Sequence, residues 1–169
     1  AKDTQIAANF DDKTLERRSL NKEDLIKKFS LDPDPRIPLL ILISRMYQQK
    51  GVDLALAGLS QSSQSKWQAI LLGTGDPKLE KASQQLEKDF PTRVRTILRF
   101  DAQLARRMYA AGDILLMPSR YEPCGLAQII AMRYGCVPLA RATGGLQDTI
   151  QDISEAGEEG TGFLFKEAS

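Results

Sequence analysis

The sequence alternates short apolar segments with longer segments of helical periodicity, and this alternation limits the possible fold more than any other feature. The segment Leu39–Ile43 (LLILI) is wholly apolar, as is typical of a strand buried on both faces of a parallel sheet. Five further short segments predict strands, namely Ala69–Leu72, Val94–Leu98, Ile114–Met117, Cys136–Leu139 and Phe163–Phe165. Every connection is long enough for a right-handed crossover. The pattern predicts an α/β domain with a Rossmann-like, doubly wound parallel sheet.

Capping residues and periodicity place the connecting helices. Helices are predicted over about Lys22–Phe29, Val52–Leu59, Pro77–Asp89, the segment from Asp101 to Ala110, and a run that opens at Gly125. Asn21, Asp76 and Asp101 are the predicted N-caps, since their side chains can accept a hydrogen bond from a free backbone amide. Residues 1–20 are polar and lack periodicity. We therefore interpret residues 1–20 as a lead-in or interdomain linker and residues 21–169 as one domain.

Composition excludes several classes of partner. The chain has 169 residues, of which 42% are hydrophobic, so it can bury one substantial core. With 23 basic and 22 acidic residues the net charge is +1, and no global field attracts nucleic acid or an anionic membrane. No apolar run approaches the roughly 20 residues needed to span a bilayer, and the first residues lack the apolar stretch of a signal peptide. We expect neither nucleic acid nor membrane as a partner.

Histidine is absent, which excludes Ser-His and Cys-His nucleophile pairs and any histidine-liganded metal within this chain. Cys124 and Cys136 are the only cysteines, and they lack metal-ligand spacing. We expect free thiols, a reducing compartment and no metal cofactor.

The segment after the fourth predicted strand carries the sharpest candidate, Glu122. It lies one turn before a helix N-terminus, whose dipole stabilises an anion. Its carboxylate could accept hydrogen bonds from sugar hydroxyls or stabilise positive charge on a sugar ring; the alternative is a helix-capping glutamate. The amides of Gly125, Leu126 and Ala127 could bind phosphate. Cys124, at the same dipole end, is interpreted as a packing or contact residue.

The segments after the first three strands supply further candidates, each with a plainer alternative. Arg45 and Lys50 suit a diphosphate, although solvated cations are as compatible with the pattern. Gly73 and Gly75 form a glycine turn that lacks the dinucleotide fingerprint, so it could admit a ligand or be an ordinary strand-to-helix turn. Phe100 could stack on a nucleobase or pack at the edge of the core.

These segments together resemble one known family. PSRYEPCGLAQIIAMRYGCVPLARATGGLQDT resembles the signature block of bacterial and plant starch and glycogen synthases. SRMYQQKGVDL resembles the family's K-G loop, LGTGDP its glycine turn, and NFDDKTLERRSLNKEDL the linker into its second domain. The resemblance runs in order through residues 8–165.

The resemblance implies the C-terminal half of a two-domain GT-B glycosyltransferase. Such synthases transfer glucose from ADP-glucose to the non-reducing end of an α-1,4-glucan, with retention and without a metal. By matching position, Arg45 and Lys50 would contact the diphosphate, Glu122 the glucose hydroxyls and Phe100 the adenine. Gly125, Leu126 and Ala127 would hold phosphate, and Gly73, Gly75 and Cys124 would contribute to the nucleotide-sugar site.

Departures from the family pattern limit these implications. The N-terminal half that holds the glucan acceptor is absent, so the chain alone is expected to be inactive. Ala127 replaces a common threonine, and Ile130 stands where the broader superfamily has a second glutamate, which starch synthases also lack. The expected compartment is the bacterial cytoplasm or the plastid stroma. Two alternatives remain: a non-catalytic nucleotide- or glucan-binding module, and a GT-B enzyme that uses a UDP- or GDP-sugar.

Overall fold

The computed structural model describes residues 3–167, in which six strands form a single parallel sheet of order β3-β2-β1-β4-β5-β6. The strands are β1 Leu39–Ile43, β2 Gln68–Leu72, β3 Val94–Ile97, β4 Ile114–Met117, β5 Val137–Arg141 and β6 Phe163–Phe165. This is the strand order of the Rossmann fold, so the predicted fold class is confirmed. The chain first builds outward from β1 to β3 and then returns to β4 on the other side of β1. The order of the sheet therefore switches between β1 and β4.

Within the same residues seven α-helices and three 3-10 turns connect the strands. The helices are α1 Arg18–Phe29, α2 Val52–Gln61, α3 Pro77–Asp89, α4 Ala102–Ala111, α5 Ala127–Arg133, α6 Gly145–Thr149 and α7 Ile153–Ala156. The turns are Leu15–Arg17, Gln48–Lys50 and Gly157–Glu159. Two predicted N-caps are confirmed: Asp76 accepts from the Lys78 amide at 2.7 Å and Asp101 from the Leu104 amide at 2.8 Å.

The predicted cap at Asn21 is wrong. Helix α1 begins at Arg18, and Asn21 is buried inside it. The Asn21 side chain accepts from the Ala8 amide at 3.0 Å and donates to the Ala8 carbonyl at 2.9 Å. The lead-in segment thus packs against α1. The Ala8 backbone forms the hydrogen bonds of the Asn21 side chain, which the sequence pattern had assigned to a helix cap. The predicted boundary at residue 21 falls within this helix.

Smaller differences concern the ends of elements. Helix α5 begins at Ala127 rather than Gly125, because Gly125 has a φ of 72°, outside the helical region. The fifth strand lies over Val137–Arg141, one to two residues later than predicted. Helices α6 and α7 have five and four residues, too short to give a periodic signal in the sequence.

Alternate residues of the central strands pack into two separate cores. Ile41 and Ile70 join the core that contains residues of α1, α4 and α5, whereas Leu42 and Leu71 join the core that contains residues of α2 and α3. All four of these side chains are almost fully buried, and each such burial contributes about 1.5–3 kcal/mol. This two-sided burial explains why the strand segments are continuously apolar.

The face of the sheet that carries α2 also has an apolar groove of about 470 Å³ next to this helix. Leu40, Leu116, Leu139 and Phe165 from four strands line it, together with residues of α2. This groove lies on a face of the sheet. The polar candidates identified from the sequence lie elsewhere, at the end of the strands.

Candidate nucleotide-sugar site

The candidate residues gather where β1 and β4 end, at the point where the strand order switches. Residues 44–51 follow β1 and residues 118–126 follow β4; we refer to these segments as the β1 loop and the β4 loop. In open parallel sheets ligands bind outside the carboxyl ends of the strands at such a switch point. Gly51 adopts a φ of 64°, and a Cβ atom there would overlap the Pro118 carbonyl. Only glycine therefore allows the two loops to approach this closely.

A cavity of about 260 Å³ lies between the two loops. It is lined by six of the predicted site residues, namely Arg45, Lys50, Glu122, Gly125, Leu126 and Ala127. Ser44, Ser119 and apolar residues at the ends of β1 and β4 complete the wall. The sequence predicted these six residues from two segments about 70 positions apart, and the fold brings them to one cavity.

Lys50 and Glu122 form an ion pair in this cavity. The Lys50 ammonium lies 2.5 Å from Glu122 Oε2, and the buried Ser119 hydroxyl donates to the same oxygen at 3.2 Å. Glu122 is only 8% exposed. Its carboxylate contacts none of the amides of α5, whose N-cap residue Leu126 provides no side-chain hydrogen bond. The helix-capping alternative for Glu122 is therefore wrong.

Arg45 is the accessible cation of the cavity. Its side chain is exposed, and the guanidinium lies 5.8 Å from the centre of the Tyr47 ring. No carboxylate among residues 3–167 forms an ion pair with it. Because the charge of Lys50 is balanced by Glu122, Arg45 gives the cavity its net positive charge. This charge suits an anionic ligand.

The start of α5 presents backbone amides to the same cavity. The amides of Gly125, Leu126 and Ala127 have no protein acceptor in the part of the chain that the structure describes. The last two residues also carry the partial positive charge of a helix N-terminus. Gln128 holds this turn in place, since its Nε2 donates to the Cys124 and Gly125 carbonyls at 3.1 and 3.0 Å.

A second cavity of about 200 Å³ continues along the sheet edge toward β3. It shares Ile43, Ser44 and Arg45 with the first cavity, and Gly73 and Phe100 lie on its far side. Phe100 is 88% exposed, so its ring does not belong to the core. The alternative of edge-of-core packing is wrong for Phe100, and its ring is free to contact a ligand.

Two predicted residues line neither cavity. Cys124 is exposed on the β4 loop, and Gly75 pairs its backbone with Met46 of the β1 loop. A Cβ atom on Gly75 would lie 2.5 Å from the Met46 carbonyl oxygen, and one on Gly73 would overlap the Ser44 carbonyl. The glycine turn is thus explained by its packing on the β1 loop. Gly73 still lines the second cavity through its backbone.

Sequence reasoning missed the residues that hold the two loops together, Asp53 and Arg120. The Arg120 guanidinium forms two hydrogen bonds of 2.7 Å to the Asp53 carboxylate. This bidentate pair lowers the pKa of Asp53 and raises that of Arg120. The two residues are 67 positions apart. Neither the local pattern nor the spacing carries a signal for their contact.

Among residues 3–167, no three cysteine, aspartate or glutamate side chains lie close enough together to hold a metal ion. Over the same range, no helix combines the length and the apolar character needed to cross a membrane.

Comparison with known proteins identifies the family of this domain. The family model for glycosyl transferases group 1 matches residues 21–169. The chain belongs to this glycosyltransferase family. Among curated family members, the glycogen synthases of Anoxybacillus flavithermus and Clostridium perfringens are 46% and 45% identical over 165 residues. Each alignment covers 98% of this chain and 34% of the relative, so the chain spans about a third of the length of those synthases.

A solved structure of the family is similar over the whole chain. The catalytic domain of starch synthase IV from Arabidopsis thaliana, bound to ADP and acarbose, has a TM-score of 0.92 and 37% identity. The match covers 100% of this chain and 36% of that one. Anabaena HepE, in complex with UDP-glucose, shares the fold at 22% identity with a TM-score of 0.70. The chain is therefore a glycosyltransferase domain of the glycogen and starch synthase type.

Proposed function

We propose that this domain binds ADP-glucose across the two cavities and takes part in α-1,4-glucan elongation. The observation that carries the proposal is the order of groups along the sheet edge. A buried carboxylate with a lysine partner lies at one end, Arg45 and free backbone amides lie in the middle, and an exposed aromatic ring lies at the other end. That order corresponds to the sugar, the diphosphate and the base of a nucleotide sugar.

The middle of the site provides the diphosphate contacts in this proposal. Arg45 can bind two phosphate oxygens at once, and Lys50 can turn from Glu122 toward the diphosphate as a point charge. The free amides of Gly125, Leu126 and Ala127 add neutral donors. Positive charge here also stabilises the ADP that leaves during transfer. The proposal needs no metal ion, because these cations can neutralise the developing negative charge.

The sugar end is assigned to Glu122. Its buried carboxylate can accept hydrogen bonds from glucose hydroxyls and stabilise the positive charge that develops on the ring in the transition state. In the reaction the bond between the anomeric carbon and the phosphate oxygen breaks. A hydroxyl at the non-reducing end of the glucan forms the new bond with retained configuration, and its proton passes to the leaving phosphate.

The base end is assigned to Phe100 and the second cavity. Apolar side chains such as Leu72 and Ala105 form much of the wall, which suits the flat face of an adenine. The ADP in the Arabidopsis starch synthase structure supports this choice of nucleotide. The glycogen synthases among the relatives support a glucan as acceptor. We propose that the acceptor is bound by a second, N-terminal domain across the cleft.

A calorimetric titration of the full-length protein with ADP, UDP and GDP tests the nucleotide. We expect ADP to bind most tightly and Lys50→Ala to weaken it about tenfold or more, because a charged phosphate contact is lost. Lys88→Ala is the matched control, since Lys88 is exposed in the last turn of α3 and should leave ADP affinity unchanged.

The other outcomes decide between the alternatives. Tighter binding of UDP or GDP would overturn ADP-glucose as the donor and favour a different nucleotide sugar. Binding of ADP without glucosyl transfer to a maltooligosaccharide would leave a non-catalytic binding module. No nucleotide binding by the folded protein would refute the site assignment altogether.

A further inference from the structure

We propose that the Arg120–Asp53 pair is a positioning device that sets the distance between Lys50 and Glu122, and so controls the transfer rate without touching the substrate. The inference rests on the function proposed above. Arg120 and Asp53 line neither of the two cavities. Their role must therefore pass through the loops that they join.

The two loops meet in a matched register of three residues each. The Arg120 amide donates to the Gln49 carbonyl at 2.8 Å, and Lys50 meets Glu122 one residue further along the β1 loop and two residues further along the β4 loop. Between these contacts the Gln49 side chain reaches the Tyr121 carbonyl at 3.4 Å. Residues 48–50 and 120–122 thus run side by side, and a shift of either loop would separate the ion pair.

The hydrogen bonds of the Arg120 guanidinium, which lies outside the cavity, hold this register in place. One nitrogen, Nη1, donates both to the Gln48 carbonyl at 2.8 Å and to Asp53, while Nη2 donates to the second oxygen of Asp53. Asp53 lies in the first turn of α2, immediately after the β1 loop. A side chain of the β4 loop therefore holds both the first residue of the 3-10 turn that carries Lys50 and the first turn of the helix that follows it.

The backbone of Arg120 extends the connection to the far half of the sheet. Its carbonyl accepts from Arg141 Nη1 at 2.8 Å, and Arg141 lies at the end of β5. Arg141 Nε in turn donates to the Lys166 carbonyl at 3.1 Å, just beyond β6. Arg120 therefore links the loops after β1 and β4 to the end of β5 and, through Arg141, to the segment after β6, although its own side chain is partly exposed.

The test uses conservative variants that keep charge or shape. Arg120→Lys keeps the positive charge but cannot form the bidentate contact, and Asp53→Asn keeps the shape but loses the charge. We expect each variant to lower kcat for glucosyl transfer by about tenfold or more, because a misplacement of about 1 Å at the reacting groups is costly. The double variant should lose no more than the worse single variant, since both break one unit.

The KM-against-kcat split separates positioning from general destabilisation. Because Arg45 and the α5 amides can still reach the diphosphate when the loops shift slightly, ADP affinity should fall by a smaller factor than kcat in the same variants, and by less than in Lys50→Ala. Arg36→Lys is the matched control: Arg36 forms the same bidentate contact with Asp34, in the turn before β1 at the opposite edge of the sheet. It should leave kcat unchanged.

A second readout does not require activity. Hydrogen–deuterium exchange of the full-length protein should show faster exchange in both the β1 and β4 loops of Arg120→Lys, and no change there in Arg36→Lys. A wild-type kcat in Arg120→Lys, or unchanged exchange in both loops, would overturn the inference. Falls of the same factor in kcat and ADP affinity, together with a lower melting temperature, would also overturn it, in favour of a purely structural pair. If the wild-type protein transfers no glucose, the proposed function fails while the exchange result still decides the role of the pair.

Discussion

Two lysine–carboxylate pairs lie at opposite ends of the same two strands, and they differ in what surrounds them. At the amino-terminal edge, Lys22 of α1 meets Asp113, which immediately precedes β4, at 2.6 Å. At the carboxyl-terminal edge, Lys50 after β1 meets Glu122 after β4 at 2.5 Å. The lysine side chains are 10% and 19% exposed and the carboxylate side chains 33% and 11%, so both pairs are largely buried and the cavity-facing carboxylate is the less exposed of the two.

The hydrogen-bond partners do distinguish them. Asp113 Oδ2 accepts from both Lys22 and the Leu39 amide at the start of β1, and Lys22 also donates to the Pro35 carbonyl. The pair at the amino-terminal edge is thus completed by backbone groups. The Lys50–Glu122 pair instead faces a cavity, with Ser119 as its further neighbour.

The difference shows how one interaction serves two purposes. A pair whose hydrogen bonds are completed by backbone groups fixes α1 against the sheet and has nothing left to offer a ligand. In a pair that faces a cavity, each side chain can leave the other and bind a substrate group instead, at some cost in stability. Three variants test whether the two pairs really differ in this way.

The largest effect is expected from Glu122→Gln. Removing the negative charge should lower the glucosyl transfer rate by about 10²–10³-fold, because charge stabilisation of the transition state is lost. The fold should persist, since Lys50 can turn into the cavity. The measurements are kcat on the full-length protein and the midpoint of urea unfolding. Glu23→Gln, on the exposed face of α1, is the control and should keep the wild-type rate. A wild-type rate in Glu122→Gln would contradict the comparison.

A smaller effect, on stability, is expected from Asp113→Ala. It leaves the Leu39 amide without its acceptor and Lys22 with only the Pro35 carbonyl, and we expect the free energy of unfolding to fall by about 1–3 kcal/mol, with ADP affinity unchanged. Denaturant unfolding measures the loss. Asp24→Ala, at an exposed position of α1, should change it by less than about 0.5 kcal/mol. If Asp113→Ala weakened ADP binding instead, the two edges would not be independent.

The smallest effect concerns Cys136, which lies beside the amino-terminal pair at the start of β5. Its thiol has a pKa raised from 9.0 to about 12, chiefly by burial; Arg18 opposes this rise and Asp113 adds to it. Above pH 9 the unfolded chain loses this proton while the folded chain keeps it, so stability falls as the pH rises toward 12. We expect a loss of about 1 kcal/mol between pH 9 and pH 10.

Urea unfolding of the wild type and Cys136→Ser as a function of pH isolates this contribution. Serine cannot ionise in this range, so the two curves should run parallel below pH 8 and diverge above pH 9. Parallel curves up to pH 10 would show that the thiol is not enclosed as the structure indicates. Burial, with a smaller contribution from charge on Cys136, raises the pKa of Tyr109 to about 12, so the comparison is made between pH 9 and pH 10, below the ordinary tyrosine pKa of about 10.

Local patterns predicted most of the elements. The strands Leu39–Ile43, Ile114–Met117 and Phe163–Phe165 and the helix Pro77–Asp89 have the predicted bounds. Their signals lie within a few residues: continuous apolar character, or a cap followed by proline. The prediction failed at Asn21, whose side-chain amide is hydrogen-bonded to the Ala8 backbone. From the sequence alone, an asparagine that caps a helix cannot be distinguished from one that forms a buried tertiary contact.

The sequence by itself determined the alternation of strands and helices, and therefore which loops reach the carboxyl edge. It also supplied Arg45, Lys50 and Glu122 as candidates, because loops at that edge are where ligands bind in parallel sheets. The tertiary structure decided that Lys50 pairs with Glu122, that Phe100 is exposed, and that Arg120 reaches Asp53. The two ion pairs join residues about 70 positions apart, and the exposure of Phe100 depends on what packs around it. All three depend on the packing of the whole sheet rather than on any local pattern.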